Sequence, residues 1–204
     1  MKLYCATTNA GKLREFRLAI QALSGGAWSA EPLEGIREIP VFEETGATFE
    51  ANAAGKAAYY SRYAPGLLFA DDSGLVVDAL GGEPGVRSAR YAGPHADDEA
   101  NNRLLLEKMQ GVADRTARFV CVVALAERGR LLGSFRGSVE GRILEAPRGL
   151  GGFGYDPLFY YPPFNCTFAE ISGERKQEVS HRGRALKAMV DYLLAAGRTG
   201  TGQR

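Results

Sequence analysis

The feature that most constrains the fold is the alternation of short apolar runs with segments of helical periodicity. Residues 2–7, KLYCAT, predict a buried strand, and a helical pattern over residues 13–23 follows the polar turn after it. A second helix is predicted with Thr45 or Thr48 as its cap. Two extended runs flank Gly129 and predict a hairpin. These units together predict an α/β fold with a mixed β-sheet.

The remaining segments are assigned by the same patterns. The run LLFADDSGLVV predicts an apolar strand that ends on acidic residues. The other predicted segments are loops at 80–93 and 146–166 and helices at 97–109 and from Ser180 to Gly197. Because neither a repeat nor a long linker interrupts the chain, residues 1–197 are assigned to one domain and residues 198–204 to a disordered tail.

Composition excludes several classes of protein. The 25 basic and 24 acidic residues leave a net charge of +1, so there is no general basic excess for nucleic acid or an anionic membrane. The 3 cysteines include no C-x-x-C pair, which predicts free thiols in a reducing compartment. With only 2 histidines a His-rich metal centre is excluded. The run Phe119–Ala126 is far shorter than the about 20 residues that span a bilayer, and a cytoplasmic location is expected.

Three short motifs invite interpretations that their context does not support. Residues 149–154 match G-x-G-x-x-G, but Pro147 precedes them and Asp156-Pro157 follows where a dinucleotide-binding helix should begin. Asp72-Ser73-Gly74 occurs once, whereas an aspartic protease needs two facing aspartates. A serine nucleophile at Ser73 is equally unsupported, since the chain has no G-x-S-x-G elbow.

The first loop is a candidate phosphate site. Thr8–Leu13 lacks the first glycine of a Walker loop, and Leu13 stands where that motif has a magnesium-binding hydroxyl. Backbone N–H groups at a helix N-terminus nevertheless attract anions, and Lys12 adds a full positive charge. The alternative is a plain helix cap.

The acidic pairs are a candidate metal site. Glu43-Glu44 precede the second helix, and Asp71-Asp72 follow an apolar run. Carboxylates without His or Cys suit a hard cation, Mg²⁺ or Mn²⁺. The alternative, solvated loop acids, applies most to Glu43-Glu44.

Lysines and aromatic residues extend the candidate site. Lys12, Lys56 and Lys176 lie beside segments already singled out, and a metal with scattered cations is typical of a triphosphate clamp. Phe153–Asp156 offers an aromatic face and a carboxylate for a nucleobase, or else a hydrophobic loop plug. His181 is either a second base contact or a surface residue near the last helix cap.

Five blocks in order carry a resemblance to a known family. They are ATTNAGKLREF, EETGATFEANAAGKA, FADDSGLVVDALGGEPGVRSARYAG, GGFGYDPLF and SHRGRALKA. The sequence resembles the inosine triphosphate pyrophosphatase family over nearly the whole chain. The resemblance implies Mg²⁺-dependent hydrolysis of ITP, dITP and XTP to the monophosphate and pyrophosphate. It also implies a homodimer and a two-lobed α/β domain with a long mixed sheet, flanking helices and an active-site cleft between the lobes.

The resemblance also implies roles for individual residues. Glu43 and Asp72 match metal ligands, and Asp72 also matches the proposed general base. Ala51 stands where the family often has an acid, so no acidic role is carried over there. The positions that match substrate contacts are Thr7, Thr8, Asn9, Ala10, Gly11, Lys12, Lys56, Ser73, Phe153, Gly154, Tyr155, Asp156, Lys176, His181 and Arg182.

These assignments predict a mechanism and leave two competing functions. Lys12, Lys56 and Lys176 would neutralise the pyrophosphate, and Asp72 or Asp71 would orient or deprotonate the attacking water. One competitor is a pyrophosphatase for modified pyrimidines or methylated bases. The other is a non-catalytic nucleotide- or RNA-binding module, against which the near-neutral charge argues.

Overall fold

The computed structural model describes residues 1–95 and 97–197, so the predicted tail at 198–204 lies outside the described residues. The described strands are β1 (Lys2–Cys5), β2 (Ser29–Pro32), β3 (Leu68–Val77), β4 (Thr116–Glu127), β5 (Arg130–Ile143), β6 (Phe159–Tyr161) and β7 (Cys166–Thr167). The described α-helices are α1 (Ala10–Leu23), α2 (Phe49–Tyr60), α3 (Asp98–Lys108), α4 (Gly173–Val179) and α5 (His181–Ala195).

The strands form one mixed sheet in the order β2-β1-β3-β4-β5-β6-β7. β1 pairs in parallel with β2 and β3, whereas β5–β6 and β6–β7 are antiparallel. β4 and β5 are neighbours joined by Arg128 (φ 51°) and Gly129 (φ 83°), the positive dihedrals of a two-residue hairpin turn. The predicted α/β class with a mixed sheet is therefore confirmed.

Side-chain caps explain where the helices begin. Asn9 accepts a hydrogen bond from the Lys12 amide at 2.9 Å and starts α1. Thr48, rather than Thr45, accepts from the Ala51 amide at 3.1 Å and starts α2. The first cap matters for function because it sets the N-terminus of α1 directly after β1.

The chain divides into two compact units, each with its own core. The first unit contains Met1–Asp72, Cys121–Gly137 and the segment from Arg182 onward, and the second contains Ser73–Val120 and Ser138–His181. In the first unit Phe16 and Phe69 pack edge to face with centroids 5.0 Å apart. In the second unit buried aromatic rings form the centre of the core, among them Phe119, Phe159 and Phe168.

Three sequence predictions need correction. The region predicted as loop at 146–166 contains β6 and the first residue of β7. Both strands are too short to show a period of two. The predicted loop at 80–93 contains a 3-10 helix, Gly85–Arg90, and α4 was not predicted because it has only 7 residues. The strand predicted to end on acidic residues continues through Asp71-Asp72 to Val77.

The cysteines agree with the sequence prediction. All three are free, with Cys5 and Cys121 buried and Cys166 partly exposed. Burial raises the pKa of both Cys5 and Cys121 to about 12, so these thiols are unreactive at neutral pH. Within residues 1–95 and 97–197, every helix is too short or too polar to cross a membrane.

Candidate active site

The loop Thr7–Lys12, here called the phosphate loop, connects the end of β1 to the first turn of α1. Its backbone is held by the Asn9 side chain on the Lys12 amide and by the Asn9 amide donating to Thr7 Oγ1 at 3.2 Å. Thr8, Asn9 and Ala10 are exposed. An exposed helix N-terminus with an adjacent lysine is suited to binding an anion such as phosphate.

Asp71 is a buried anchor for the cations around it. The Lys12 ammonium lies 2.8 Å from Asp71 Oδ2, and the Arg182 guanidinium lies 3.8 Å from the same oxygen. Burial raises the pKa of Asp71, but the charges of Lys12, Arg182 and Lys56 outweigh the burial and hold that pKa at about 2. Asp71 is therefore ionised at any physiological pH and orients Lys12 at the phosphate loop.

Arg182 belongs to the same charge network. Its guanidinium is 3% exposed and is paired with Glu15 of α1 as well as with Asp71. Burial lowers the pKa of Arg182, but the carboxylates of Glu15 and Asp71 raise it well above its usual value. The pairs tie the beginning of α5 to α1 and β3.

Asp72 lies in a different environment from its neighbour. It is 6% exposed, and its Oδ2 accepts a hydrogen bond from Asn52 Nδ2 at 3.0 Å. Burial, together with the charge of Glu44, raises the pKa of Asp72 to about 6 against the opposing hydrogen bond from Asn52. A carboxylate with a raised pKa is a better proton acceptor than an ordinary aspartate, so Asp72 rather than Asp71 is the candidate base.

Lys56 of α2 connects the two acidic segments. Its ammonium pairs with Glu44 and donates to the main-chain oxygen of Asp71 at 3.2 Å. Burial lowers the pKa of Lys56, but Asp71 and Glu44 raise it more, so the lysine stays charged. The side chain of Glu43 is exposed and makes no hydrogen bond or ion pair within the part of the chain that the structure describes.

The carboxylates of the first unit fit a hard divalent cation that would be bound mainly by phosphate oxygens of a substrate. Mg²⁺ in proteins usually keeps several waters and takes one or two carboxylates together with phosphate oxygens. Asp72 and the Glu43-Glu44 segment supply carboxylate oxygens, and no cluster of three His, Cys, Asp or Glu side chains occurs among residues 1–95 and 97–197. The side chains present would hold Mg²⁺ with phosphate rather than enclose it.

The second unit contains a separate group of predicted residues around Phe153–Asp156, here called the base loop. Asp156 is 2% exposed and accepts hydrogen bonds from the Phe153 amide at 3.0 Å and from the Lys176 ammonium at 2.6 Å. Lys176 lies 4.8 Å from the centroid of the Phe153 ring. A side chain at Gly152 (φ +73°) would overlap the Asp156 carboxylate, so the turn requires glycine there.

Two side chains of helix α3 hold the middle of the base loop through the main-chain amide and oxygen of Gly154. The Gly154 amide donates to Asp98 Oδ2 at 2.6 Å, and Asn102 Nδ2 donates to the Gly154 oxygen at 2.9 Å. Tyr155 is buried, and its hydroxyl donates to the Ser88 oxygen at 2.7 Å. Burial raises the pKa of Tyr155 well above its usual value, so this residue acts as an internal anchor.

His181 and Ser73 are the remaining predicted contacts of the second unit. His181 is 3% exposed and stacks on Phe119 with centroids 4.8 Å apart. Ser73 follows Asp72 on β3 and is partly exposed. The glycine of the D-S-G motif has a structural reason, because a Cβ on Gly74 would overlap the Gly85 oxygen and the Ser88 hydroxyl.

The predicted residues thus form two groups, one in each unit. The first unit brings together the phosphate loop, Lys56, Asp72 and Arg182, while Glu43 stays apart from their contacts. Lys176, expected to neutralise pyrophosphate with Lys12 and Lys56, contacts Asp156 and the rings of Phe153 and Phe168 in the second unit. Sequence reasoning missed the roles of Glu15, Glu44, Asn52, Asp98 and Asn102.

One missed residue left a signal in the sequence. Asn52 lies four residues before Lys56 and therefore on the same face of α2. Asp98 and Asn102 share the same spacing on α3, but nothing in the sequence pairs them with Gly154, which is more than fifty residues away.

Comparison with known proteins gives matches over nearly the whole chain. Residues 3–192 match the Ham1 family. A protein of Acidobacterium capsulatum named dITP/XTP pyrophosphatase is 51% identical over 204 residues, which cover 95% of this chain and 98% of that protein. A protein of the same name from an Exiguobacterium species is 49% identical over 194 residues, covering 95% of this chain and 97% of that protein.

Comparison with solved structures also gives Ham1 proteins as matches. The Ham1 protein of Staphylococcus aureus matches with a TM-score of 0.83 at 37% identity, covering 96% of this chain and 100% of that chain. A HAM1 protein from Coxiella burnetii matches with a TM-score of 0.84 at 38% identity, covering 96% of this chain and 99% of that chain. The resemblance predicted from the sequence blocks is confirmed.

Proposed function

The chain belongs to the Ham1 family, and from this premise we propose that it hydrolyses ITP, dITP and XTP to the monophosphate and pyrophosphate with Mg²⁺. The observation that carries the proposal is the unequal pair at the first unit: Asp71 neutralised by cations, and Asp72 with a raised pKa beside the phosphate loop. Names of the curated relatives, dITP/XTP pyrophosphatase, support the choice of reaction and substrates.

The first unit supplies the groups that this reaction needs. The oxygen of a water attacks the α-phosphorus, the bond from that phosphorus to the bridging oxygen breaks, and pyrophosphate leaves with the electron pair. Asp72 orients this water or takes its proton, a role worth about 10²–10⁴-fold in rate. Asp72 and the Glu43-Glu44 segment would hold Mg²⁺, which would supply charge stabilisation for the phosphate groups.

Positive groups of the first unit bind the polyphosphate. Lys12 is oriented by Asp71, and Lys56 is oriented by Glu44 and the Asp71 main chain, so both ammonium groups are positioned before substrate arrives. Preorganised cations stabilise developing charge without reorganisation at the moment of reaction. Arg182 is buried and paired with Glu15 and Asp71, so we assign it to holding these side chains in place.

The second unit supplies the groups that recognise a purine. A base stacks on Phe153, and hydrogen-bond donors such as His181 or main-chain amides satisfy the 6-oxygen of hypoxanthine or xanthine while rejecting the 6-amino group of adenine. Sites that depend on such bonds discriminate by about 10⁴-fold or more, because the wrong base leaves buried polar groups unpaired. The cleft between lobes, Glu43 as a ligand and the homodimer stay predictions of the resemblance, and the cytoplasmic location stays a prediction from the sequence pattern.

A substrate panel tests the proposal. The protein is incubated with ITP, dITP, XTP, GTP, ATP and a modified pyrimidine triphosphate with Mg²⁺, and pyrophosphate and orthophosphate are measured separately. We expect pyrophosphate from the first three and little product from ATP. Orthophosphate alone, or ATP cleaved as fast as ITP, would contradict the proposal, and binding of ITP without product would indicate a non-catalytic module.

A substitution tests the assigned base. Asp72→Asn is expected to lower the rate with ITP by about 10²–10⁴-fold. The matched control is Asp78→Asn, which removes a carboxylate that is 38% exposed and paired with Arg118. If Asp72→Asn retains the wild-type rate, Asp72 neither orients nor deprotonates the water.

A further inference from the structure

The side chain of Asn52 bridges two segments that carry acidic residues. Its Oδ1 accepts a hydrogen bond from the Gly46 amide at 2.8 Å, and its Nδ2 donates to Asp72 Oδ2 at 3.0 Å. Asn52 is 1% exposed, and Gly46 lies two residues after Glu44. One buried carboxamide, which accepts at its oxygen and donates from its nitrogen, therefore ties the segment 43–46 to Asp72.

The close approach of Gly46 to Asn52 leaves no room for a side chain. A Cβ at Gly46 would lie 2.5 Å from Asn52 Oδ1 and 2.9 Å from the Ala51 Cβ. Both contacts are well inside van der Waals distance, and the shorter one is with the buried side chain of Asn52. The bridge therefore depends on the absence of a Cβ at position 46 as much as on the amide at position 52.

The bridge also determines which oxygen of Asp72 is available. Asn52 occupies Oδ2, whereas Oδ1 makes no hydrogen bond or ion pair with residues 1–95 or 97–197. Oδ1 is also not among the fully buried polar atoms of the described residues that lack a partner, so it is not completely enclosed by protein. A carboxylate that is held by one oxygen presents the other in a defined direction.

We propose that Asn52 is a positioning residue that holds Asp72 and the segment 43–46 together, so that Asp72 Oδ1 and the carboxylates of that segment face one divalent cation. Like charges on Asp72 and Glu44 disfavour this arrangement, and the bridge opposes their separation. The inference rests on the proposed role of Asp72. Hydrogen-bond partners of metal-binding carboxylates typically contribute about 10–100-fold to metal affinity or activity.

The test compares Asn52→Ala with a matched buried asparagine. Asn101 is 3% exposed, accepts from the Ala92 amide at 2.8 Å and donates to the Ala89 oxygen at 3.4 Å. Asn101→Ala therefore removes an equivalent pair of bonds in the second unit. Binding of Mn²⁺ is measured by electron paramagnetic resonance with a non-hydrolysable α,β-methylene ITP present, alongside the melting temperature and the Mg²⁺ dependence of pyrophosphate release.

A positioning role predicts a specific pattern. Asn52→Ala weakens Mn²⁺ binding by about 10–100-fold and raises the Mg²⁺ concentration for half-maximal rate by a similar factor. Asn101→Ala lowers the melting temperature to a comparable extent but leaves both metal parameters within about twofold of wild type, since it does not touch Asp72. Equal metal parameters in the two variants would overturn the inference.

Gly46→Ala perturbs the same bridge from its other end. Added to the wild type it weakens Mn²⁺ binding, whereas added to Asn52→Ala it has little further effect, because residues in contact are not additive. Full additivity of the two substitutions would contradict the bridge. Should Asn52→Ala not fold, Gly46→Ala decides alone, and unchanged Mn²⁺ binding in it overturns the inference.

The wild-type arm separates the two possible failures. If the wild type releases pyrophosphate while Asn52→Ala binds Mn²⁺ as the wild type does, the positioning role is wrong and the proposed function stands. If the wild type releases no pyrophosphate from ITP, dITP or XTP, the proposed function is wrong, and the premise of the inference falls with it.

Discussion

Asp71 and Asp72 are neighbours in the chain, yet their carboxylates lie in opposite electrostatic environments. Asp71 faces Lys12 and Arg182 and has a pKa of about 2, whereas Asp72 faces Glu44 and an amide and has a pKa of about 6. Successive residues of a strand point to opposite faces, so adjacent side chains meet different partners. One carboxylate thereby becomes an anchor and the other a candidate base.

The anchoring role of Asp71 predicts a large loss of stability. Asp71→Asn leaves the buried charge of Arg182 and the partly exposed charge of Lys12 less compensated, and the free energy of unfolding is expected to fall by about 3–5 kcal/mol. Urea denaturation followed by circular dichroism measures the change. The control is Asp191→Asn, which breaks the exposed Lys187–Asp191 pair and is expected to cost less than about 1 kcal/mol. Equal losses in the two variants would show that the Asp71 network is not stabilising.

At the scale of elements, a helix positions each part of the candidate site. α1 begins within the phosphate loop, α2 carries Asn52 and Lys56 toward the aspartates, and α3 fastens the base loop through Gly154. A helix presents residues four apart on one face, so a single helix can hold a loop at two points. The base loop is thus positioned by α3 and not only by its own turn.

The hydrogen bonds of Asp98 and Asn102 to Gly154, here called the α3 clamp, predict an effect on substrate binding. Asp98→Ala and Asn102→Ala each remove one hydrogen bond to Gly154, and each is expected to raise KM for ITP by about two- to tenfold with a smaller change in kcat. Arg103→Ala, on the same helix, removes only an exposed pair with Glu99 and serves as control. A larger effect from Arg103→Ala than from the other two would contradict the clamp.

For the whole molecule, charge is balanced globally and concentrated locally. The net charge of +1 includes a partly buried network of Glu15, Arg182, Asp71 and Lys12 in the first unit and a buried Lys176–Asp156 pair in the second. The two units have separate cores while one mixed sheet includes strands of both. Each of these cations is therefore paired with a carboxylate of its own unit.

This charge distribution predicts no affinity for nucleic acid chains. Binding to a phosphate backbone depends on many Lys and Arg contacts and decreases steeply with salt. Fluorescence anisotropy with a labelled single-stranded oligonucleotide is expected to show no binding at physiological salt, under conditions where ITP is hydrolysed. Tight, strongly salt-dependent binding would favour the competing RNA-binding module.

Local patterns predicted most of the elements, including the hairpin at Gly129 and the helices that carry the site. They failed for β6, β7 and α4, which are too short for a period to appear, and for the end of β3. The acidic residues there predict the end of a strand, because a sequence pattern does not include the cations that pair with Asp71 from α1 and α5.

The sequence by itself determined the α/β class and the family and supplied a candidate set of chemically active side chains, because these depend on local periodicity and on the order of short motifs. Only the tertiary structure decided which aspartate is paired with cations, that Glu44 rather than Glu43 pairs with Lys56, and that Asn52 and α3 position the two groups. Those assignments depend on distances between residues far apart in the chain, and such distances are set by packing, which no local pattern contains.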